Sequence, residues 1–241
     1  MNFTLFLVIC LVVFVIFYMR RKRVEKITDA GFVQKSTLSK RECKELIEIA
    51  KKYDLETKPD EVDSKPEYQI DVLDVGEDLE TRTLIGAINE ELWEKCRLIY
   101  LNKLKPIMES TPWIPSDQRI NYIFLRRYEK TERTHIPIHT DGNYLTMSFL
   151  LSDTKDFEGG KLYIFDTKSS KEIDNWSDAD YESNEVRENF ITSHPNLPIL
   201  DYQQGDLAVY TGGTNYHGTL PITSGERYIL TFFSEKSKIN Q

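Results

Sequence analysis

Tyr128 to Leu151 reads YEKTERTHIPIHTDGNYLTMSFLL, and the chemistry of the whole chain turns on its centre, His139-Thr140-Asp141. On an extended strand, residues two apart point to the same face, so an imidazole and a carboxylate emerge side by side. Alone, His-x-Asp is an ordinary surface pattern. Downstream, however, His217 opens the run His217-Gly218-Thr219-Leu220-Pro221, and Arg227 follows ten positions later. Two histidines and one carboxylate are the donor set that holds non-haem Fe(II) and leaves coordination positions open. Arginine is a permanently charged planar fork, suited to the carboxylate of a co-substrate. His135 and His194, the other two histidines, read as structural or surface residues.

The 241 residues give room for one sizeable domain with its own core. Net charge is −8, yet residues 1–26 carry five basic side chains and one acidic. The remainder is therefore strongly acidic, a poor general binder of nucleic acid backbone and better suited to a neutral or cationic partner. Three cysteines, one of them in the N-terminal apolar block, make no disulfide framework.

Phe3 to Met19 is apolar except for Thr4, and Arg20-Arg21-Lys22-Arg23 follows. At about 1.5 Å per residue this run covers roughly 25 Å, near the lower limit for spanning a bilayer core. Residues 1–23 are accordingly expected to form a transmembrane helix with a basic flank, a single-pass anchor. The rival, a cleaved signal peptide, lacks a basic n-region and a small-residue cleavage site. The basic flank keeps the following domain in the cytosol by the charge rule.

Residues 24–37 read as a linker entering a short strand, Gly31-Phe32-Val33. Ser39 with Glu42 forms a capping box, and Leu46, Ile47, Ile49 and Ala50 stripe a helix through Lys52. Tyr68 to Val75 is expected as a strand and Leu79 to Met108 as one long helix. From Arg119 the pattern changes to short strands separated by turns: Ile120–Leu125, Leu145–Leu151, Lys161–Phe165, Leu207–Tyr210 and Tyr228–Ser234. Between Asp166 and Gln204 the alternation breaks into an acidic insertion, either a solvated loop or a lid beside the site.

The order His139-x-Asp141 … His217-x9-Arg227 resembles the Fe(II)- and 2-oxoglutarate-dependent dioxygenases. It is most similar to prolyl 4-hydroxylase and procollagen lysyl hydroxylase catalytic domains. Asp156-Phe157-Glu158-Gly159-Gly160, Thr214-Asn215-Tyr216-His217-Gly218 and Gly225-Glu226-Arg227-Tyr228-Ile229 carry the likeness. The resemblance implies a mainly β fold with flanking α-helices, built on a double-stranded β-helix, or jelly-roll, core. The core would occupy 116–241, with 166–204 as its insertion, and 24–115 would be linker and helical support. It implies His139, Asp141 and His217 as metal ligands and Arg227 as the 2-oxoglutarate clamp, with Tyr128, Thr146 and Thr231 lining the same pocket. Fe(II), 2-oxoglutarate, O2 and, by resemblance alone, ascorbate are the implied cofactors. The implied activity is hydroxylation of a prolyl or lysyl side chain on a protein or peptide. A small-molecule or lipid substrate, and a metal-binding jelly-roll module without turnover, remain as alternatives. Halogenating relatives lack the carboxylate present here as Asp141. Nucleic-acid demethylases carry a second arginine where this chain has Phe233, so no nucleic acid partner is expected. The anchored relatives face the endoplasmic reticulum lumen, against the cytosolic placement given by charge.

Overall fold

Strand alternation sorts this chain into two faces. In LTMSFL, Leu145, Met147 and Phe149 join one apolar cluster, while Thr146 and Ser148 point the other way. A computed structural model of the chain describes residues 24–29, 31–53, 55–73, 90–166, 170–194 and 197–236. In chain order the elements are β1 (Val24–Thr28), β2 (Gly31–Gln34), α1 (Lys40–Lys52), β3 (Glu56–Pro59) and β4 (Pro66–Leu73). There follow α2 (Glu90–Ile99), a π-turn (Tyr100–Leu104), α3 (Lys105–Ser110), β5 (Gln118–Glu129), β6 (Leu145–Leu150), β7 (Phe157–Gly159) and β8 (Leu162–Ile164). A 3-10 turn (Ser170–Asn175), α4 (Asp178–Glu182), α5 (Asn184–Ser193), β9 (Leu207–Tyr210), β10 (His217–Thr219) and β11 (Ile222–Lys236) complete the set.

The main sheet is antiparallel, in the order β1-β2-β9-β6-β11-β5-β4-β3, with β7 pairing the start of β11. A smaller sheet pairs β8 with β10. One face of the main sheet packs against the helices. There Ile123, Leu125, Met147, Phe149, Leu230 and Phe232 meet Leu46 and Ile49 of α1 and Leu92 and Cys96 of α2. Helix α1 forms where the sequence places it, capped by the reciprocal Ser39–Glu42 box. The opposite face carries Tyr128, Leu150, Ala208, Tyr210 and Ile229, with polar residues set among them. Cys43 and Cys96 are buried as free thiols, and burial pushes Cys43 up to about 12.

Several expectations change. Residues 24–29 are no plain linker, because β1 pairs with β2 and extends the sheet. The long helix is described from Glu90 onward and passes through a π-turn before α3, where Pro106 has no N–H to continue an α-helical ladder. Leu79–Asn89 lies outside the described residues. The insertion is not structureless: α5 buries Phe190 and Ile191 in a third cluster with Ile138, Tyr163, Phe165 and Ile173. The single-pass membrane placement is corrected: no helix among the described residues is long and apolar enough to cross a membrane. Residues 1–23, on which that expectation rested, lie outside the described residues.

Candidate metal centre and its cavity

Two short segments bring the two histidines and the aspartate together. His217 starts β10, and its N–H and carbonyl both pair with those of His139, each at 2.9 Å. Asp141 N–H donates to the Gly212 carbonyl at 2.9 Å. The donor atoms of His139, Asp141 and His217 all lie within 4.8 Å of one another. His139 Nε2 is 3.5 Å from Asp141 Oδ1, and His217 Nε2 is 3.3 Å from Asp141 Oδ2.

The ring tautomers follow from partners that can only accept. His139 Nδ1 donates to the Pro137 carbonyl and His217 Nδ1 to the Asn215 carbonyl, each at 2.8 Å. Each Nε2 is thereby left with its lone pair directed at the shared point, the arrangement metal-ligating imidazoles use. Burial and the neighbouring His217 hold the His139 pKa below its usual value. Burial works against ionisation of Asp141, but the two histidines outweigh it and keep the carboxylate charged. Burial also opposes protonation of His217, yet Asp141 raises its pKa.

Thr146 donates its hydroxyl to Asp141 Oδ2, so it orients the carboxylate. Glycine is required at 212, where a Cβ would come within 2.1 Å of Thr146 Oγ1 and 2.3 Å of Asp141 Oδ2. The Tyr210 ring stands edge-on to His217 at 4.9 Å.

A cavity of about 920 Å³ runs from this cluster along the sheet face to Arg227. Arg227 is 2% exposed and pairs in register with Tyr128 across β11 and β5. Its guanidinium lies 5.3 Å from the Tyr128 ring centroid, and its Nη1 has no hydrogen-bond partner. Burial pulls its pKa below the usual arginine value, with the hydroxyls of Tyr128, Tyr202 and Tyr210 opposing. No carboxylate of the described residues pairs with it, whereas buried Arg126 has Asp60 and Glu67, and buried Arg133 has Asp63. Gly160, at φ +59°, leaves room for the Arg227 stem, since a Cβ there would meet Arg227 Cδ at 3.0 Å. In the same cavity, Thr231 Oγ1 and Ser148 Oγ are 3.0 Å apart on facing strands.

All seven residues singled out from the sequence therefore line one cavity. Ser148, Tyr210 and Tyr181 join them without having been foreseen. Ser148 and Tyr210 were legible only as strand residues, and Tyr181 comes from the insertion. His135 and His194 stay outside the cluster. His135 Nε2 meets the Glu188 carboxylate at 2.9 Å, and His194 stacks on Phe190 at 4.8 Å.

No family model and no curated protein matches the sequence. Solved structures match the fold. An oxidoreductase of the 2OG-Fe(II) oxygenase family from Burkholderia pseudomallei is 12% identical, with a TM-score of 0.56, covering 88% of this chain and 89% of that one. The viral collagen prolyl hydroxylase of Paramecium Bursaria Chlorella virus-1, in its 2OG complex, is 14% identical at a TM-score of 0.51, covering 86% and 96%. A Trichoplax adhaerens prolyl hydroxylase, in complex with a hypoxia inducible factor oxygen degradation domain peptide fragment, is 10% identical at 0.56, covering 87% and 84%. The fold is that of the 2OG-Fe(II) oxygenases. Within the oxygenase fold, the present chain keeps a mainly antiparallel sheet with a few helices packed on one face.

Proposed function

We propose that the chain is an Fe(II)- and 2-oxoglutarate-dependent dioxygenase, with a double-stranded β-helix core at 116–241, that hydroxylates a prolyl or lysyl side chain of a protein or peptide. One observation carries this: a buried arginine that pairs with no carboxylate of the described residues faces the same cavity as a His-Asp-His cluster. An unpaired buried guanidinium is costly, and a dianionic keto acid relieves that cost by supplying the missing charge. A metal-binding module without turnover has no use for such a clamp.

The residues fit the implied group. His139 and His217 would each give Nε2 to the metal, and Asp141 one carboxylate oxygen. Arg227 would hold the distal carboxylate of 2-oxoglutarate as a bidentate pair over the Tyr128 ring. The hydroxyls of Ser148 and Thr231 line the same cavity, and Thr146 serves by holding Asp141. Together, bound Fe(II) and 2-oxoglutarate supply O2 activation, giving succinate and CO2 and delivering one oxygen atom to a C–H bond of the target. The protein's part is to orient that target and exclude water around it. A peptide substrate is consistent with the fold likeness to a prolyl hydroxylase in complex with a peptide fragment.

The test is succinate formation from 2-oxoglutarate in the presence of Fe(II), with and without ascorbate, followed by a peptide array read for a gain of one oxygen. Turnover that His217→Ala abolishes is expected. Full activity in that variant, or no 2-oxoglutarate binding by the wild type, sinks the proposal.

A further inference from the structure

The loop between the metal ligands has three consecutive amides, and each meets one acceptor. His139 N–H is taken by the His217 carbonyl and Asp141 N–H by the Gly212 carbonyl. Between them, Thr140 N–H donates to the hydroxyl of Tyr181 at 2.8 Å. The outer two amides are thus held by backbone, the middle one by a side chain from the insertion. Tyr181 sits on α4, a helix of 5 residues with none of them buried. Its ring lies 6.1 Å from that of Tyr216, the residue before His217. The same side chain lines the cavity.

We propose that Tyr181 is a positioning residue for the metal centre, fixing the backbone between His139 and Asp141 and hence the spacing of their donor atoms. The proposal rests on the metal site argued above. Having accepted from Thr140, the hydroxyl keeps one proton of its own. Its other polar contact among the described residues is Thr140 Oγ1 at 3.4 Å, where either hydroxyl can be the donor. The insertion thereby touches both the metal loop and the space the target must occupy.

Anaerobic titration with Co(II) alone, followed by its d–d absorption, tests this without turnover. Tyr181→Phe keeps the ring against Tyr216 and removes only the hydroxyl. The expected result is a Co(II) Kd raised about threefold to tenfold, the scale of one hydrogen bond, with the metal-free protein still folded. Asp178→Asn, an exposed residue of the same helix that does not line the cavity, should leave the Kd alone. Amide exchange of the wild type provides an independent measurement, with Thr140 N–H expected to be protected. An unchanged Kd in Tyr181→Phe overturns the positioning role while leaving the metal site standing. So does a Thr140 amide that exchanges like a free loop. A wild type that binds no Co(II) overturns the metal site, and this role with it.

Discussion

At the residue scale, Arg227 and Gly212 separate two kinds of requirement. Arg227→Ala removes the charge that the proposed co-substrate pairs with in a buried place, a loss of about 2–5 kcal/mol, or tens- to thousands-fold in 2-oxoglutarate affinity. Isothermal titration with 2-oxoglutarate checks it, and unchanged affinity refutes the clamp. Gly212→Ala touches neither metal nor co-substrate, yet its Cβ would collide with both Thr146 Oγ1 and Asp141 Oδ2. Metal affinity should fall by about tenfold or more while 2-oxoglutarate contacts at Arg227 remain, and Co(II) titration reads the difference. The His-Asp-His cluster was legible because metal chemistry admits few donor types, although His139-x-Asp141 lies in a loop with one isolated bridge and not on the expected strand. Gly212, Ser148 and Tyr181 were not. Their roles depend on which backbone passes close to Asp141, and no local pattern in the sequence carries that.

Among the elements, α1 was readable to the residue and the insertion was not. Ser39 and Glu42 satisfy each other's backbone at the N-terminus of α1, a purely local arrangement. Ser39→Ala should cost about 1 kcal/mol in urea denaturation, with activity retained. The insertion has its own capping box at Ser177 and Asp180, the same kind of local signal, in a stretch whose density of charge masked it. What holds α5 is long-range. Phe190 meets the rings of Trp176 at 5.2 Å and Phe165 at 5.8 Å beneath the small sheet. Lys65 and His135 meet Glu188, and the Val62 carbonyl accepts from Arg187, which ties α5 to the β3–β4 turn. Phe190→Ala is therefore expected to lower the unfolding free energy by about 3–5 kcal/mol, where a solvated loop would lose almost nothing. A change under about 0.5 kcal/mol in urea denaturation would return the insertion to the status of a loop.

Across the whole molecule, one sheet divides the labour: its helix face is apolar and stable, while its cavity face carries charge that has to be neutralised. The cost gathers at the cavity rim, where β4 and β5 bury Glu67 and Arg126 beside Asp60. Burial pushes the Glu67 carboxyl up to about 7, with Arg126 opposing and Asp60 adding to the rise. Burial resists ionisation of Asp60 too, but Arg126 outweighs it, and its pKa lies below the usual 3.8. The two acids therefore act in different pH windows. Glu67 binds its proton more tightly when folded, so its contribution is complete below its ordinary 4.5 and is lost as pH rises through about 7. Asp60 contributes above its ordinary value and fades only in stronger acid. His135, held low chiefly by burial, works against Glu67 by losing stability as pH falls through its usual 6.5. A comparison with Glu67→Gln cancels that background. From about pH 5 to about pH 8 the wild type should lose unfolding free energy relative to Glu67→Gln, whose amide stays neutral throughout. Urea denaturation of both proteins at the two pH values measures the difference. Parallel profiles would mean that Glu67 is already ionised against Arg126 at pH 5, and that the rim is a plain ion pair.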